Sequence, residues 1–376
     1  QTVDIYTNQY GGPGRALYYR IPILRPLVPI STGWRGVRGE VNWASSIQAP
    51  LGANSPEILA DIQKGVFTSA VGTKLTLSNW ATPDMVRYAE LLKAVMPKSC
   101  KHLYFTSGRD EIVDKGLRCL RVTRPEAQVV IGLKNQYVGH TTAAARSLTD
   151  PSAFTAPFGW FDWPLVNSIE EIEAEIQKHS ADKIFAIVVE LVGEKTGHVI
   201  APDFLEKLEM IRSKTNIPLV FVETASGLGR NGESLFMSDT LSVQPNMVWW
   251  YSGAQLGHIF VDDTHYASKP LTLISTWDGD EISMRRNYRH ILVAREALKQ
   301  KTALYFDNEC KKLGSTGKGF WQAFEIQHPE RLADAGLLAS KGFDNKVILN
   351  PPIHSTREEI DAGLVILRRC LLDAES

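Results

Sequence analysis

Short apolar runs alternate with amphipathic segments along most of the chain after residue 55. Apolar runs bounded by turn residues predict buried strands, and apolar positions that recur once per helical turn predict covering helices. The predicted strands are His102–Phe105, Gln128–Leu133, Lys183–Glu190, Pro218–Glu223, Met247–Tyr251 and Val347–Leu349. The predicted helices include one that opens at Ser55-Pro56-Glu57, one that ends near Arg121, and Ile169–His179, Phe204–Ser213, Ile282–Gln300 and Thr356–Leu372.

This alternation predicts an α/β fold with a mainly parallel central sheet covered by helices on both faces. Residues 1–50 are rich in Gly, Pro and aromatic residues and predict an N-terminal arm or part of a small domain. We expect a large α/β domain over residues 51–270. The remainder, residues 271–376, predicts a smaller α+β domain.

Composition excludes several classes of function. Among 376 residues the formal net charge is −1, so nothing indicates binding to nucleic acid or to a membrane surface. The four cysteines lack CxxC spacing and the nine histidines lack ligand spacing, so we expect no metal site. These features predict a cytoplasmic protein with reduced cysteines.

Seven motifs occur in an order that resembles the class III, fold-type I aminotransferases. The most specific is Val222-Glu223-Thr224-Ala225-Ser226-Gly227-Leu228-Gly229-Arg230-Asn231-Gly232, which is similar to the family pattern D-E-V-x-T-G-x-G-R-x-G. The segment from Ser275 to Asp280 is similar to S-T-W-G-G-N of lysine ε-aminotransferases. The others are Ala44-Ser45-Ser46 with Leu51-Gly52-Ala53-Asn54-Ser55-Pro56, Ser107-Gly108-Arg109-Asp110-Glu111, Tyr137-Val138-Gly139-His140, Val189-Glu190-Leu191 and Asn350-Pro351-Pro352-Ile353.

The chain departs from this family at the two residues that pyridoxal-phosphate chemistry needs. The resemblance implies a lysine that bonds to the cofactor aldehyde and an aspartate that pairs with the ring nitrogen. Val222 stands at the aspartate position and Ser252 at the lysine position. The next lysine along the chain, Lys269, is a weak candidate for a displaced one. The departures therefore predict no bound pyridoxal phosphate and no transamination.

Three further departures affect binding. Arg109 replaces a small or hydroxyl residue of the phosphate-binding turn, and Val138 replaces the histidine after the stacking aromatic. Asn350 replaces the arginine that the resemblance expects to clamp a substrate carboxylate. The anchor of the cofactor and the anchor of the substrate are thus both altered.

A pocket for a small anionic metabolite remains as a hypothesis. Ser107 and Gly108 at a helix N-terminus would present backbone N–H groups, and Arg109 would add a positive fork. The resemblance implies that Tyr137 forms an aromatic wall of the pocket. It also implies that Thr276 contacts the phosphate from the neighbouring subunit. It therefore implies a homodimer with a shared pocket. An equal alternative is that Arg109 pairs with Asp110 or another nearby carboxylate.

Four residues are candidates for catalysis. Glu190 and Glu223 end strands at the ligand-binding edge of the predicted sheet. His140 is a second kind of acid–base candidate, although a structural histidine is the simpler interpretation. Ser252 would be a nucleophile only with a base such as His258 or His140 within hydrogen-bond reach.

Three functional hypotheses follow. The first is an enzyme of specialised biosynthesis that acts on a small anionic metabolite without pyridoxal phosphate. The second is a non-catalytic member of the fold that binds a ligand or a partner. The third is non-covalent binding of pyridoxal phosphate with residual transaminase activity.

Overall fold

The computed structural model describes residues 40–44, 47–73, 80–151 and 160–372. Most of the predicted arm and the motif residues Ser45 and Ser46 therefore lie outside the described residues. The helices, numbered in chain order, are α1 Pro56–Gln63, α2 Thr68–Gly72, α3 Pro83–Val95, α4 Asp110–Leu120, α5 Ala143–Ser147, α6 Ile169–His179, α7 Pro202–Thr215, α8 Glu281–Gln300, α9 Thr302–Lys312, α10 Glu330–Asp334 and α11 Arg357–Leu372.

The strands are numbered in the same way. They are β1 Val41–Asn42, β2 His102–Thr106, β3 Val129–Leu133, β4 Leu165–Val166, β5 Ile184–Glu190, β6 Leu219–Val222, β7 Met247–Tyr251, β8 Gly257–Val261, β9 Thr316–Lys318, β10 Trp321–Glu325, β11 Leu337–Leu338, β12 Ser340–Lys341 and β13 Lys346–Leu349.

A seven-stranded sheet in the order β2-β8-β7-β6-β5-β3-β4 forms the centre of the large region. β3 pairs in parallel with β4 and β5, and β5, β6 and β7 pair in parallel in turn. β8 runs antiparallel to both β7 and β2. The predicted α/β fold with a mainly parallel sheet is confirmed. Every residue of β5, β6 and β7 is buried, as expected for strands that helices cover on both faces.

Local sequence determines where several helices begin. The Ser55 side chain accepts a hydrogen bond from the Ile58 N–H, and Pro56 is at the first helical position. Asp280 caps α8 in the same manner through the Ser283 N–H. Asn216 adopts a left-handed conformation (φ 56°) at the end of α7, a common way for a helix to stop.

A four-stranded antiparallel sheet in the order β12-β13-β10-β9 lies in the C-terminal part of the chain. A separate apolar cluster that includes Phe306, Phe320 and Leu349 packs there, and Trp43 from the start of the described chain joins it. The boundaries at residues 50 and 270 stay a prediction. The predicted end of helix α8 at Gln300 agrees with the structure, whereas helix α9 and several strands, among them β8, β9 and β10, were not predicted.

The break after α8 occurs at Lys301, which adopts a left-handed conformation (φ 57°) and ends the helix without a glycine. Trp249 and Trp250 of β7 are buried in the main core, so they pack as structural residues. Trp277, in contrast, is 54% exposed. Within the described residues, no helix combines the length and hydropathy that a membrane crossing requires.

Candidate functional site

A polar cavity of about 340 Å³ lies where the loops after β3, β5 and β7 meet the N-terminus of α4. Ligands of open α/β sheets bind at this edge, beyond the carboxyl ends of the parallel strands. The residues on which the chemistry of the cavity depends are Arg109, Tyr137, His140, Glu194, Lys195 and Tyr251.

Arg109 is held by a carboxylate and two aromatic rings. Its Nη1 donates to Glu194 Oε1 at 3.0 Å and lies 2.9 Å from Glu194 Oε2. The guanidinium carbon lies 5.2 Å from the centre of the Tyr137 ring and 5.3 Å from that of Tyr251. These distances are within the range of cation–π attraction. The predicted alternative partner Asp110 instead accepts hydrogen bonds from the His140 and Thr141 backbones.

The charge on Arg109 persists at all ordinary pH values. Burial by itself lowers the pKa of the guanidinium, but Glu194 and then Tyr137 more than offset it, so the pKa lies above its usual value. Arg109 is also the N-cap residue of α4, where its own side chain caps no backbone group. The side chain instead donates from its Nη1 to Glu194, which sets its direction.

Tyr137 and His140 form a hydrogen-bonded pair within the cavity lining. The Tyr137 hydroxyl lies 2.7 Å from His140 Nδ1. Burial raises the pKa of the Tyr137 phenol above its usual range, so the phenol keeps its proton. Asp110 Oδ2 accepts from the His140 N–H at 2.7 Å and from Thr141 Oγ1 at 2.7 Å, so this loop is fixed in place.

Lys195 lies in a tight turn that follows β5. Its Nζ lies 5.0 Å from the centre of the Tyr137 ring and 3.6 Å from Glu194 Oε1. The side chain is 27% exposed. Among the cavity-lining residues of the described chain, Lys195 alone carries a primary amine.

Glu190 ends β5 directly behind this site. Its Oε2 accepts from the Tyr137 N–H at 3.1 Å, and its Oε1 accepts from the Glu194 N–H at 2.8 Å. Burial, assisted by the nearby Glu194 charge, raises the pKa of the Glu190 carboxyl to about 8. Glu190 lines a neighbouring cavity of about 440 Å³ and not the one that holds Arg109. The structure thus shows it as a support for the two loops that carry Tyr137 and Glu194.

Glu223 organises the loop after β6. Its carboxylate accepts from Ser226 Oγ at 3.0 Å, from the Met237 N–H at 2.6 Å and from the Ser238 N–H at 3.0 Å. The side chain is fully buried, and burial raises its pKa. These bonds occupy both oxygens and place Glu223 in loop structure, away from the residues that line the cavity.

The residues at the family's lysine and aspartate positions are enclosed. Ser252 is fully buried, and its Oγ donates to the Leu256 carbonyl at 2.9 Å. Val222 is 4% exposed and belongs to the main core. Neither lines the cavity. The suggested base His258 contacts the Tyr88 hydroxyl at 2.7 Å, and burial lowers its pKa to about 3.

The predicted anion-binding turn is partly covered by the protein itself. Ser107 Oγ donates to the Trp277 carbonyl at 2.8 Å. A side chain added at Gly108 would meet the Glu111 carboxylate at 2.5 Å, so that carboxylate packs against the Gly108 backbone. Thr276 is exposed and does not line the cavity of this chain. Of the predicted ligand-binding set, the structure brings Arg109 and Tyr137 into the cavity.

Asn350 and Val138, the two other positions at which the chain departs from the family pattern, lie in different surroundings. Asn350 is buried and lines the cavity, with its backbone N–H bonded to the Trp43 carbonyl at 2.9 Å. Val138 is buried beneath Tyr137, and its N–H donates to Thr149 Oγ1 at 3.1 Å. The predicted weak candidate Lys269 is exposed and does not line the cavity.

Sequence reasoning did not identify Glu194, Lys195 or Tyr251. A signal for the first two was present, because Gly193 and Gly197 bracket them directly after an apolar strand. Two glycines around charged residues at the carboxyl end of a parallel strand are typical of a ligand-facing turn. Tyr251 gave no such signal, since it continues an apolar run.

Comparison with known proteins identifies the family. The sequence profile described as "Aminotransferase class-III" matches residues 41–371. An acetylornithine aminotransferase of Archaeoglobus fulgidus is 24% identical over 307 residues, covering 76% of this chain and 79% of the relative. A Methanosarcina mazei enzyme of the same name is 24% identical over 318 residues, with 77% of each chain covered.

The fold is similar to that of solved aminotransferases. Lysine aminotransferase from Mycobacterium tuberculosis, in its internal aldimine form, matches all of both chains with a TM-score of 0.84 and 19% identity. An amine transaminase from an uncultivated Pseudomonas species, in a form bound to pyridoxal phosphate, has a TM-score of 0.76 and 18% identity. It covers 91% of this chain and 93% of its own.

These findings correct one prediction. The expectation that the chain uses no pyridoxal phosphate is wrong, because the family match over residues 41–371 places it among enzymes that depend on this cofactor. Val222 and Ser252 misled the prediction, since the absence of two residues at their expected positions was taken as the absence of the cofactor. The matches likewise give no support to a pseudoenzyme or to a role independent of pyridoxal phosphate.

The groups in the cavity fit this cofactor by their chemistry, although they stand at other positions. Arg109 supplies positive charge for a phosphate, and the rings of Tyr137 and Tyr251 beside it supply aromatic surface. Lys195 supplies an amine for an aldehyde. A carboxylate for the ring nitrogen is the exception, because a valine stands at that position of the motif.

Proposed function

The chain belongs to the class III aminotransferase family, and from this premise we propose that it binds pyridoxal phosphate in the polar cavity and acts on the amino group of a small anionic metabolite. The observation that carries the proposal is the arrangement of Arg109. This cation lies between two aromatic rings and is directed by Glu194, inside a cavity of about 340 Å³.

Arg109 is the main anchor in this proposal. Its charge is fixed, and its planar fork of N–H donors suits a phosphate or a carboxylate. Tyr137 and Tyr251 flank it and exclude water from one side of the cavity. When bound, pyridoxal phosphate supplies an aldehyde that captures amines and a ring that withdraws electrons from the adjacent carbon.

Tyr137 and His140 are placed to hold and move a proton. The 2.7 Å between the Tyr137 hydroxyl and His140 Nδ1 allows a proton to pass between the two atoms. His140 lines the cavity and so can exchange that proton with a bound amine. Glu190 supports this pair indirectly, through its bond to the Tyr137 N–H.

Substrate preference follows from the residue at position 350. The family's carboxylate-clamping arginine is replaced by Asn350, which offers an amide to the cavity. The arginine and lysine side chains that line the cavity within the described residues are Arg109 and Lys195. We therefore propose a substrate with a single anionic group, because the cavity has no arginine at position 350 to clamp a second one.

A titration of the purified protein with pyridoxal phosphate, followed by calorimetry, tests the proposal. Arg109→Lys retains the charge that pairs with Glu194 but loses the planar fork, so binding should weaken about tenfold, or about 1.4 kcal/mol. Arg118→Lys changes an exposed arginine of the same helix and should leave the affinity unchanged. Absence of binding by the wild-type protein would overturn the proposal.

A ligand-binding protein without catalysis is the second candidate. Val222 and Ser252 favour it, because neither side chain can do the work that the family assigns to its position. Incubation of the loaded protein with amino donors distinguishes the two functions. Conversion of the cofactor to its amine form supports an enzyme, whereas stable binding without conversion supports the second candidate.

We also propose that two copies of the chain associate. An apolar groove of about 460 Å³ is lined by α1, α2 and the start of α8, and its residues Leu59, Ile62 and Val71 are 39%, 55% and 69% exposed. Exposed apolar surface of this kind is typical of an interface. Sedimentation of the purified protein measures the mass of the assembly, and a monomer would contradict this part of the proposal.

A further inference from the structure

The turn after β5 presents Lys195 to the cavity from a fixed backbone. A bridge between Val192 and Val199 closes the turn, and the Gly193 N–H donates to the His198 carbonyl at 2.7 Å. The Gly197 N–H donates to the Gly193 carbonyl at 2.7 Å. Such a closed turn determines the direction in which its side chains leave the backbone.

Contacts with the C-terminal sheet fix the turn further. The Lys195 carbonyl accepts from the Phe343 N–H at 2.9 Å. A side chain added at Gly342 would meet the same carbonyl at 2.4 Å, and one added at Gly197 would meet Ala323 Cβ at 2.6 Å. Close packing of these segments fixes the backbone from which the Lys195 side chain extends.

Glu194 is shared unequally between two cations. Arg109 Nη1 lies 2.9 Å and 3.0 Å from its two oxygens, whereas Lys195 Nζ lies 3.6 Å from the nearer one. Lys195 is therefore held more loosely than Arg109. Its Nζ can leave Glu194 and still remain over the Tyr137 face, 5.0 Å from the ring centre.

We propose that Lys195 is the residue that links covalently to the cofactor aldehyde, in place of the lysine that is missing at position 252. This inference rests on the proposed function. Glu194 takes one proton from the Lys195 ammonium, and the neutral Nζ then attacks the aldehyde carbon. A carbon–nitrogen double bond forms, and the carbonyl oxygen leaves as water with the two remaining nitrogen protons. No oxidant or reductant is required.

Two competing positions are less suited. Ser252 has no amine, and its hydroxyl is engaged with the Leu256 carbonyl. Lys269 is exposed beyond β8, and the Lys269 carbonyl accepts from Thr272 Oγ1 at 2.7 Å in a surface turn. Lys195, in contrast, shares the cavity with Arg109 and Tyr137, the groups that suit a phosphate and an aromatic ring.

Borohydride trapping tests the proposal with a chemical readout that does not depend on activity. The full chain is incubated with an equal amount of pyridoxal phosphate, reduced and digested, and the labelled peptide is identified by mass spectrometry. We expect the label on the peptide that contains Lys195, together with the visible absorbance of a carbon–nitrogen double bond before reduction. Pyridoxamine phosphate, which lacks the aldehyde, should protect Lys195 from labelling.

The variants Lys195→Arg and Lys269→Arg form a matched pair. Lys195→Arg keeps the positive charge, so we expect it to bind pyridoxal phosphate but to lose the absorbance band and the label. Lys269→Arg should behave as the wild-type protein in both respects. Because protection by pyridoxamine phosphate acts only at the cavity, it separates specific labelling from random modification of surface lysines.

The outcomes distinguish this inference from the proposed function. Binding with the label on Lys269, on another lysine or on none overturns the role of Lys195 and leaves the proposed function in place. Absence of binding overturns both. A Lys195→Arg protein that retains the band also rejects the inference, since an arginine cannot form the bond.

Discussion

Two neighbouring parts of the same edge of the sheet differ in their chemistry in this chain. At the ends of β6 and β7, Val222 and Ser252 are buried and satisfied by apolar neighbours and backbone carbonyls. Beyond β5 and at the start of α4, Glu194, Lys195 and Arg109 converge as charged groups on a cavity. The first part of the edge is closed, whereas the second presents charged side chains to the cavity.

The difference shows that the loss of two residues at motif positions is not accompanied by the loss of charged groups nearby. Charged groups line the ligand-binding edge of the sheet, although they stand at positions other than those that the family pattern assigns. A buried cluster of cations and a carboxylate is costly to maintain unless its members pair well. The presence of such a cluster beside the Tyr137 and Tyr251 rings therefore favours a functional role for it.

Ser252→Lys is expected to have the largest effect on this comparison. The hydroxyl site is fully buried, so a lysine there places an unpaired charge in the core and should lower the free energy of unfolding by about 4 kcal/mol. Urea unfolding measures the change. Ser252→Ala removes one hydrogen bond and should cost about 1 kcal/mol. A stable Ser252→Lys protein that traps pyridoxal phosphate at residue 252 would show that this edge is open.

Arg109→Met is expected to have the next largest effect. Loss of the guanidinium leaves Glu194, whose side chain is 5% exposed, without its closest cation, and should cost about 3 kcal/mol. The double variant Arg109→Met, Glu194→Met removes both charges and should recover part of the loss. Equal losses in the single and double variants would contradict a coupled pair at the polar edge.

The Glu190→Gln variant tests the role of Glu190 through the pH dependence of the free energy of unfolding. Because the pKa of Glu190 is raised to about 8, the folded state retains a proton that the unfolded chain releases near its ordinary value. The contribution of Glu190 to the free energy of unfolding is fully present below its pKa in the unfolded chain. It is lost as the pH rises through its pKa in the folded protein. Between about pH 6 and pH 8 the wild-type protein should lose about 2 kcal/mol that the glutamine variant does not lose.

Unfolding free energies measured across this pH range provide the test. The exposed Glu325→Gln serves as the matched control and should retain the pH dependence of the wild-type protein. An identical pH dependence in Glu190→Gln and the wild-type protein would mean that Glu190 is ionised at neutral pH. In that case its support of the Tyr137 and Glu194 loops would come from an ordinary carboxylate.

Most of the large sheet could be predicted from the sequence because its strands are continuous apolar runs. The predicted strand Met247–Tyr251 and the predicted helix Ile169–His179 agree with the observed bounds. Strand β8 was not predicted, since Gly257 and His258 interrupt the apolar pattern. The predicted helix Ile282–Gln300 ends at the observed residue, whereas helix α9 directly after it was not predicted.

The site was predictable in part. Arg109 and Tyr137 were identified from motif positions, and both line the cavity. Glu190 and Glu223 were candidates because they end strands, and Ser252 because it stands at the lysine position. The sequence does not say whether such a side chain faces a cavity or its own loop. The choice between Asp110 and another carboxylate as the partner of Arg109 was likewise open, and the structure shows Glu194, a residue 85 positions away.

The sequence by itself determined the family and the order of strands and helices, because short motifs and apolar periodicity depend on neighbouring residues. It also determined that Val222 and Ser252 lack the chemistry of an aspartate and a lysine. Only the tertiary structure decided which charges meet. Arg109, Tyr137 and Lys195 come from three separate loops. These loops lie at one edge of the sheet because the strands before them, β2, β3 and β5, run in the same direction.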